Sequence, residues 1–393
     1  MTLSQTHPFI TYRFRTEDLD QATWMLLGEA MSKCQHLAGS PLKPDAASRL
    51  ASVYLARGVQ ATTAIEGNTL SDEEVEKIVE DGTAGVPESR QYLEREVQNV
   101  LAAVRTMDEA LRGGERYAID AGQLRALNLL VLDGIPDKPE VQPGEFRQHD
   151  VTVGGYKAPH WTEVPRLVDE FATWLRNIRA LQEDAKPEQR FVTAVVAAVL
   201  AHLYIAWIHP FGNGNGRTAR LVEVQILSES GIVPLVATNL LSDHYNKTRS
   251  AYYLALDAAQ HSVARFVKYA VQGFTDELRE QIDEVRKLSE KIHWESHVYE
   301  TFRSLPSTEA RARQRLLALE LPVGRAVTTA ETVVLTTELA RKYAQNGERT
   351  PARDLNDLMK MGLVEKLAGT RKYRARHYVI KAFLPPVAPE TVR

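Results

Sequence analysis

Residues 209–220, with the sequence HPFGNGNGRTAR, combine groups that could bind phosphate and accept a proton. Three glycines alternate with asparagines, and glycine lets successive backbone N–H groups turn toward one anion. A helix predicted to begin near Arg217 would add its positive end. Arg217 and Arg220 share the first turn, where the helix dipole disfavours cations, so an anion would offset their presence. A polyphosphate fits, with N–H groups on one phosphate and arginines on the others.

His209 stands at the start of this string. Its neighbours Ile208, Pro210 and Phe211 are apolar, which disfavours the imidazolium and keeps the ring neutral, as a general base requires. Phe211 would anchor the loop in the core. A plain turn and a structural histidine are the alternatives, but neither explains a histidine, a glycine nest and two arginines so close together. The string also lacks the Gly-Lys-Ser/Thr of a P-loop, and it follows a predicted helix rather than a strand.

The string resembles the Fic motif, HPFx(D/E)GNGRxxR, at every defined position but one. The resemblance implies a mainly helical protein that transfers AMP from ATP to Ser, Thr or Tyr hydroxyls of target proteins. It implies that His209 deprotonates the target hydroxyl and that residues 214–216 bind the α- and β-phosphates. Arg217 would hold phosphate oxygens, and Arg220 those of the γ-phosphate.

The implied ATP site extends to a hairpin and a tyrosine pair. GEFRQHDVTVGGYKAP, residues 144–159, resembles the family's flap, along which a target segment would dock by strand addition, although it could be a plain surface hairpin. Tyr252 and Tyr253 resemble the pair that lines the adenine site, although such a pair is as readily a core feature. The predicted ATP-binding residues are Val151, Thr152, Val153, Gly154, Asn213, Gly214, Asn215, Gly216, Arg217, Thr218, Ala219, Arg220, Tyr252, Tyr253 and Gln260.

Position 213 departs from the family pattern. The family usually has Asp or Glu there to bind the Mg²⁺ that bridges the α- and β-phosphates. Asn213 offers a neutral carbonyl oxygen, which is a weaker ligand for a hard dication. The sequence therefore predicts Mg²⁺ bound mainly through the phosphates, with Asn213 as a weak ligand. Transfer of another nucleotide or phosphate-containing group stays open as an alternative.

Residues 62–68, TTAIEGN, end a helix predicted over 46–66. Glu66 stands at the negative end of that helix, so it calls for a positive partner. The string resembles the Fic autoinhibitory motif (S/T)xxxE(G/N), with Thr62 and Glu66 four residues apart, in the subclass with an N-terminal inhibitory helix. The resemblance implies that Glu66 pairs with Arg220 and obstructs the γ-phosphate. In some relatives this Glu also helps to remove AMP, so removal is a second activity to consider.

Helices must position most of these residues, and the fold class predicted is mainly α. It comprises a Fic helical core with a β-hairpin flap, followed by a C-terminal α+β winged helix module. The predicted domains are an N-terminal helical region at 1–100, a catalytic core at 101–289, and a linker helix with a winged helix-turn-helix at 290–393. Helices are predicted over 16–37, 46–66, 88–112, 121–133, 164–184, 188–208, 216–230, 244–258 and 262–293, with another opening after Ser71.

Charge is unevenly distributed along the 393 residues. The net charge is −3, but residues 290–393 carry 18 basic and 12 acidic residues, or +6, which leaves −9 for residues 1–289. Within this tail, the sequence predicts helices at 337–345 and 350–361, a strand that begins at Leu363-Val364, and a strand pair at 370–380 with a basic wing at 371–376. This order resembles a winged helix-turn-helix. Such a module binds DNA or docks a protein, and Asp354 and Asp357 weigh against DNA. The rival function is thus a DNA-binding regulator whose Fic fold senses nucleotide.

Composition sets the expected compartment. The single cysteine, Cys34, excludes an internal disulfide, and no signal peptide is visible, so a cytoplasmic protein is expected. Residues 191–208 lack Asp, Glu, Lys and Arg, but a buried core helix explains them better than a membrane span, and no membrane partner is expected. A homodimer is left open.

Overall fold

The protein is described by a computed structural model that covers residues 6–182 and 184–380. These residues form two compact units that divide between Ile282 and Asp283. The first unit is built almost entirely of helices: α1 Gln21–Gly39, α2 Pro44–Ala64, α3 Asp72–Asp81, α4 Gln91–Arg112, α5 Ala121–Leu132, α6 Val164–Gln182, α7 Pro187–Ile208, α8 Asn215–Glu229, α9 Leu240–Lys247, α10 Arg249–Ala258 and α11 Val263–Arg303, which continues into the second unit. Strands β1 Thr152–Val153 and β2 Tyr156–Lys157 form an antiparallel hairpin. The predicted mainly helical class is confirmed.

α7 lies at the centre of the first unit. It is long and apolar enough to cross a membrane by length and composition, but 83% of its most apolar window is buried inside the protein. A helix that is apolar on every side is typical of such a core position. α7 packs along α8, and α2, α4 and α5 pack on α8 in turn. The loop between α7 and α8, residues 209–214, is therefore surrounded by elements from the first third of the chain.

Some element boundaries differ from the sequence prediction. The helix predicted over 16–37 begins at Gln21, because the Asp20 side chain caps it by accepting the Thr23 N–H. The helix predicted over 244–258 breaks at Thr248, whose hydroxyl donates to the His244 carbonyl and competes with the helical backbone. The helix predicted over 46–66 ends at Ala64, so residues 65–67 form a turn that carries Glu66.

The second unit is an α+β module with its own apolar core. It contains α12 Glu309–Glu320, α13 Thr329–Val333, α14 Thr337–Ala344 and α15 Thr350–Lys360, together with β3 Val327–Thr328, β4 Val364–Lys366 and β5 Lys372–Ala375. The antiparallel sheet has the order β3-β5-β4. The prediction of a strand pair within residues 370–380 was wrong: β5 pairs with β4 and β3, and His377–Ile380 form a 3₁₀ helix. That stretch holds no Gly or Asn to make a tight hairpin turn.

Candidate functional site

Local hydrogen bonds close the loop between α7 and α8. The Asn215 side chain donates to the Phe211 carbonyl and accepts the Phe211 N–H, both at 2.9 Å. Gly214 has φ of 75°, in the left-handed region that side chains disfavour, and α8 begins directly after it. Asn128 of α5, fully buried, donates to the Asn213 carbonyl at 2.9 Å. The loop thus holds its amides in a fixed turn at a helix N-terminus, which is the arrangement that binds anions.

His209 is held in a strained backbone conformation. Its φ of 49° and ψ of 60° place a non-glycine residue in the left-handed region, which costs roughly 1–2 kcal/mol. Arg147 fixes this turn. Its backbone N–H donates to the Pro210 carbonyl, and its side-chain Nε donates to the His209 carbonyl at 2.8 Å. Its other nitrogens donate to the carbonyls of His149 and Pro159, on either side of the hairpin. One buried guanidinium therefore joins the flap to the histidine turn.

The same surroundings keep the imidazole of His209 uncharged. The pKa of His209 is lowered to about 4, chiefly by burial and in part by the nearby Arg147 charge, while a hydrogen bond with the Ala206 backbone and the charge of Glu66 oppose these effects. A neutral ring at pH 7 can accept a proton.

Glu66 and Arg220 form an ion pair at the back of the loop. Glu66 Oε1 lies 2.5 Å from Arg220 Nη2, which also donates to the Thr62 carbonyl at 2.8 Å. Arg220 is 1% exposed and the Glu66 side chain 32%. Burial alone would raise the pKa of Glu66, but the charge and hydrogen bond of Arg220 outweigh it and hold that pKa below its ordinary value. A methyl group on Gly216 would lie 2.2 Å from Glu66 Oε1, so this glycine makes room for the carboxylate.

A second acidic residue holds the other arginine. Arg217 Nη1 lies 2.9 Å from Glu96 Oε1 of α4, with Arg217 3% and Glu96 13% exposed. Asn68, two residues beyond Glu66, donates from Nδ2 to Glu96 Oε2 at 2.9 Å. The turn after α2 is thus tied to both arginines. Sequence reasoning gave no role to Glu96, Asn68, Asn128 or Arg147. Asn68 and Arg147 lie in the inhibitory and flap strings, but no local pattern links Glu96 or Asn128 to the loop.

Each of the two arginines, Arg217 and Arg220, has a side-chain donor without a hydrogen-bond partner among the described residues. Arg217 Nε and Arg220 Nε are buried and have no hydrogen-bond partner within residues 6–182 and 184–380. A buried donor without a partner is unfavourable by roughly 1–3 kcal/mol. Two such donors beside a glycine nest fit a polyphosphate, which would satisfy both.

The predicted adenine-lining tyrosines have different environments. Tyr252 is buried, its hydroxyl lies 2.7 Å from His202 Nε2, and its ring stacks on Tyr245 at 4.8 Å between centroids. His202 Nδ1 lies 2.9 Å from Glu223 Oε2 in the same buried network. Tyr253 is half exposed beside it. Only Tyr253 therefore presents a largely exposed ring.

The remaining predicted ATP-binding residues divide by location. Thr152, Val153 and Gly154 are exposed on the hairpin, and Val151 lies just before it. Thr218 and Ala219 are fully buried in the first turn of α8. Gln260 lies after α10 and donates from Nε2 to Asp257 at 3.0 Å.

Comparison with known proteins gives this arrangement a family context. Residues 118–227 match the model of the Fic/DOC family. That stretch contains the loop, both arginines, His209 and the hairpin. Residues 118–227 are therefore similar to a Fic domain.

The curated proteins similar to this chain include some with a named activity. The chain is 29% identical over 235 residues to "Protein adenylyltransferase fic-1" of Caenorhabditis elegans, a match that covers 60% of this chain and 42% of that protein. It is 30% identical over 215 residues to the Caenorhabditis briggsae protein of the same name, covering 54% and 38%. The chain thus spans about two fifths of the length of these curated relatives.

The fold extends further than the sequence match. A Fic family protein from Desulfovibrio desulfuricans G20 superposes with a TM-score of 0.55 at 23% identity. The match covers 91% of this chain and 96% of that one. At this identity the likeness concerns the fold.

Proposed function

We propose that the protein is an adenylyltransferase that moves AMP from ATP to a hydroxyl of a target protein. The observation that carries this proposal is the pair of buried arginines behind the glycine loop, each with an Nε donor that lacks a partner among the described residues. Arg217 and Arg220 would satisfy these donors on phosphate oxygens, while the amides of Gly214 and its neighbours bind the remaining ones. The named activity of the Caenorhabditis relatives supports the same reaction.

His209 would act as the general base. Its neutral imidazole takes the proton of the Ser, Thr or Tyr hydroxyl as that oxygen attacks the α-phosphorus. The bond from the α-phosphorus to the bridging oxygen breaks, and pyrophosphate leaves. Placement of the reactants and fixed positive charge supply most of the acceleration in such transfers. Bound Mg²⁺ would neutralise phosphate charge, and since Asn213 is a weak ligand it would be held mainly through the phosphates.

Glu66 would keep the enzyme near rest. Its carboxylate accepts the hydrogen bond of Arg220 Nη2, which a γ-phosphate would otherwise accept. The contact is short, charged and partly buried, so an entering nucleotide must either displace it or bind with its γ-phosphate elsewhere. Release of the turn after α2 would free Arg220. Removal of AMP at the same site is part of this proposal: water attacks the phosphorus, and the bond to the target oxygen breaks to give AMP and the free hydroxyl.

The hairpin would receive the target. β1 pairs only with β2 among the described residues, and Thr152 and Val153 are exposed, so a strand edge is open to another chain. An extended target segment would add there through main-chain hydrogen bonds. Because Arg147 binds the carbonyls of His149, Pro159 and His209 together, a docked segment would be held in register with the base.

The experiment uses labelled ATP with a lysate or candidate targets. Glu66→Gly should transfer label to protein from α-labelled ATP but not from γ-labelled ATP. The double variant Glu66→Gly/His209→Ala should transfer no label from either. Glu76→Gln, an exposed carboxylate on α3, is the matched control and should behave as wild type. Label that persists without His209 would contradict the proposal. Parallel runs with α-labelled GTP, CTP and UTP test transfer of another nucleotide.

A second candidate function concerns the C-terminal unit, which we propose to be a winged helix-turn-helix that binds DNA. Asp354, which weighs against DNA in the sequence, is 1% exposed and binds Arg313 at 2.7 Å, so it faces the core. α15 and the wing then present exposed basic residues, namely Arg349, Arg353, Lys360, Lys366, Arg371 and Lys372. This arrangement suits phosphate contacts.

Gel-shift titration of DNA fragments at several salt concentrations tests this candidate. The affinity of a DNA-binding unit should fall steeply as the salt concentration rises. In Arg371→Ala/Lys372→Ala, the slope of the logarithm of affinity against the logarithm of salt concentration should decrease by about the value of two phosphate contacts. A protein-docking module would show no shift. Retention of the shift in His209→Ala would separate this activity from transfer.

A further inference from the structure

We propose that Asp137 supplies the carboxylate toward nucleotide-bound Mg²⁺ that position 213 lacks. This inference rests on the proposed nucleotide site. Asn213 Nδ2 donates to Asp137 Oδ2 at 2.5 Å, although the two residues are 76 positions apart. Only the fold brings this acidic side chain to the edge of the phosphate loop.

Asn213 itself is poorly placed to ligate a cation. Its Oδ1 accepts the Gly214 N–H at 2.6 Å, so one lone pair of the only ligating atom of the side chain is engaged in the loop. Its Nδ2 is a donor and cannot bind a metal ion. Direct ligation by Asn213 would therefore compete with a hydrogen bond that shapes the phosphate-binding turn, and it would bring no negative charge.

Asp137 is held beside the loop by its own segment. The Lys138 N–H donates to Asp137 Oδ1 at 2.8 Å, which orients the carboxylate. Further along, Val141 packs against Gly212, where an added Cβ would lie 3.1 Å from Val141 Cγ2. The segment and the phosphate loop are thus in close contact.

Two other acidic side chains that contact residues 209–220 are already paired with arginines. Glu66 binds Arg220 and Glu96 binds Arg217. Asp137 is exposed and forms no ion pair within the part of the chain that the structure describes. It keeps lone pairs available for a cation or for a water in its hydration shell.

Mg²⁺ chemistry matches such a site. In phosphate-transfer sites Mg²⁺ keeps several waters and takes one or two carboxylates together with substrate phosphates. The described residues hold no group of three or more His, Cys, Asp or Glu that could bind a metal ion by itself. The proposed cation would accordingly bind with the nucleotide, through its phosphates and Asp137.

The test measures Mn²⁺ binding by electron paramagnetic resonance, with the full chain and an imido analogue of ATP. In the Glu66→Gly background, Asp137→Asn should weaken Mn²⁺ binding to the nucleotide complex by about tenfold or more, as loss of an outer ligand does elsewhere. Asn213→Asp added to Asp137→Asn should restore it. Glu140→Gln, an exposed carboxylate three residues away, is the matched control and should change nothing.

Three outcomes separate the two proposals. Mn²⁺ affinity within twofold of the parent in Asp137→Asn, with nucleotide still bound, would overturn the role of Asp137 and leave the transferase proposal intact. No nucleotide binding by any variant, with or without Mn²⁺, would count against the nucleotide site and with it the Asp137 proposal. If Asp137→Asn binds Mn²⁺ more weakly than its parent but binds the nucleotide equally well in EDTA, both the role of Asp137 and the nucleotide site are supported. An unchanged melting temperature in Asp137→Asn excludes misfolding as the cause.

Discussion

Replacement of Glu66 by Gln offers a test of the site that needs no target protein. The substitution keeps the shape of the side chain but removes its charge, so the buried Arg220 guanidinium loses the carboxylate with which it pairs. Loss of one partner from a fully buried pair costs about 3–5 kcal/mol. Because 32% of the Glu66 side chain is exposed, water screens part of the pair, and we expect about 2 kcal/mol.

That free energy is measurable as a melting temperature. A domain of this size loses roughly 2–4 °C per kcal/mol, so Glu66→Gln should melt about 4–8 °C below wild type in scanning calorimetry. Polyphosphate should then restore stability, since its oxygens replace the missing carboxylate at Arg220. ATP or pyrophosphate should therefore raise the melting temperature more in Glu66→Gln than in wild type, while the exposed control Glu76→Gln behaves as wild type.

The effect also has a defined pH dependence. The folded-state pKa of Glu66 lies below its ordinary value of 4.5, so the carboxylate stabilises the fold above that value. This stabilisation disappears as the pH falls through the folded-state pKa, so the gap between wild type and Glu66→Gln should close in acid. Equal melting temperatures at pH 7, together with equal responses to nucleotide, would refute the view that Glu66 and phosphate compete for Arg220.

Three further predictions concern other parts of the molecule. In Glu66→Gly, kcat/KM should stay on its plateau down to about pH 5, because the pKa of His209 is about 4; a decline with a midpoint near 6.5 would contradict the buried neutral base. Arg147→Lys should lower kcat by about tenfold or more with little change in nucleotide affinity by calorimetry, since it loosens the turn that carries His209; an equal loss in binding would indicate general damage. Asp354→Asn should destabilise the C-terminal unit by about 3–5 kcal/mol, seen as an earlier calorimetric transition for that unit alone, because it leaves Arg313 buried without its partner.

The sequence alone was sufficient for what depends on local geometry. Within residues 209–220, the glycines, Asn215 and the start of α8 lie within one turn, so their spacing predicts a closed anion-binding loop. The apolar pattern predicts α7 as a core helix, and turn residues predict the hairpin at Gly154. The contact between Glu66 and Arg220 follows from a motif resemblance, not from any local rule.

Tertiary structure decided which distant side chains meet the loop. Glu96 lies 121 residues from Arg217, and Asp137 lies 76 from Asn213, and nothing in their own neighbourhoods marks either as part of the site. Arg147 likewise reads as one charge in a polar segment, yet it becomes buried and holds the His209 turn.

The physical reason is the range of the forces involved. Helix and turn formation depend on neighbours three or four residues apart, so a sequence shows them directly. The pairing of buried charges depends on which helices pack together, and here α2, α4 and α5 all pack on α8. The sequence thus determined the closed glycine-rich loop, and only the packing determined which acidic side chains pair with its arginines.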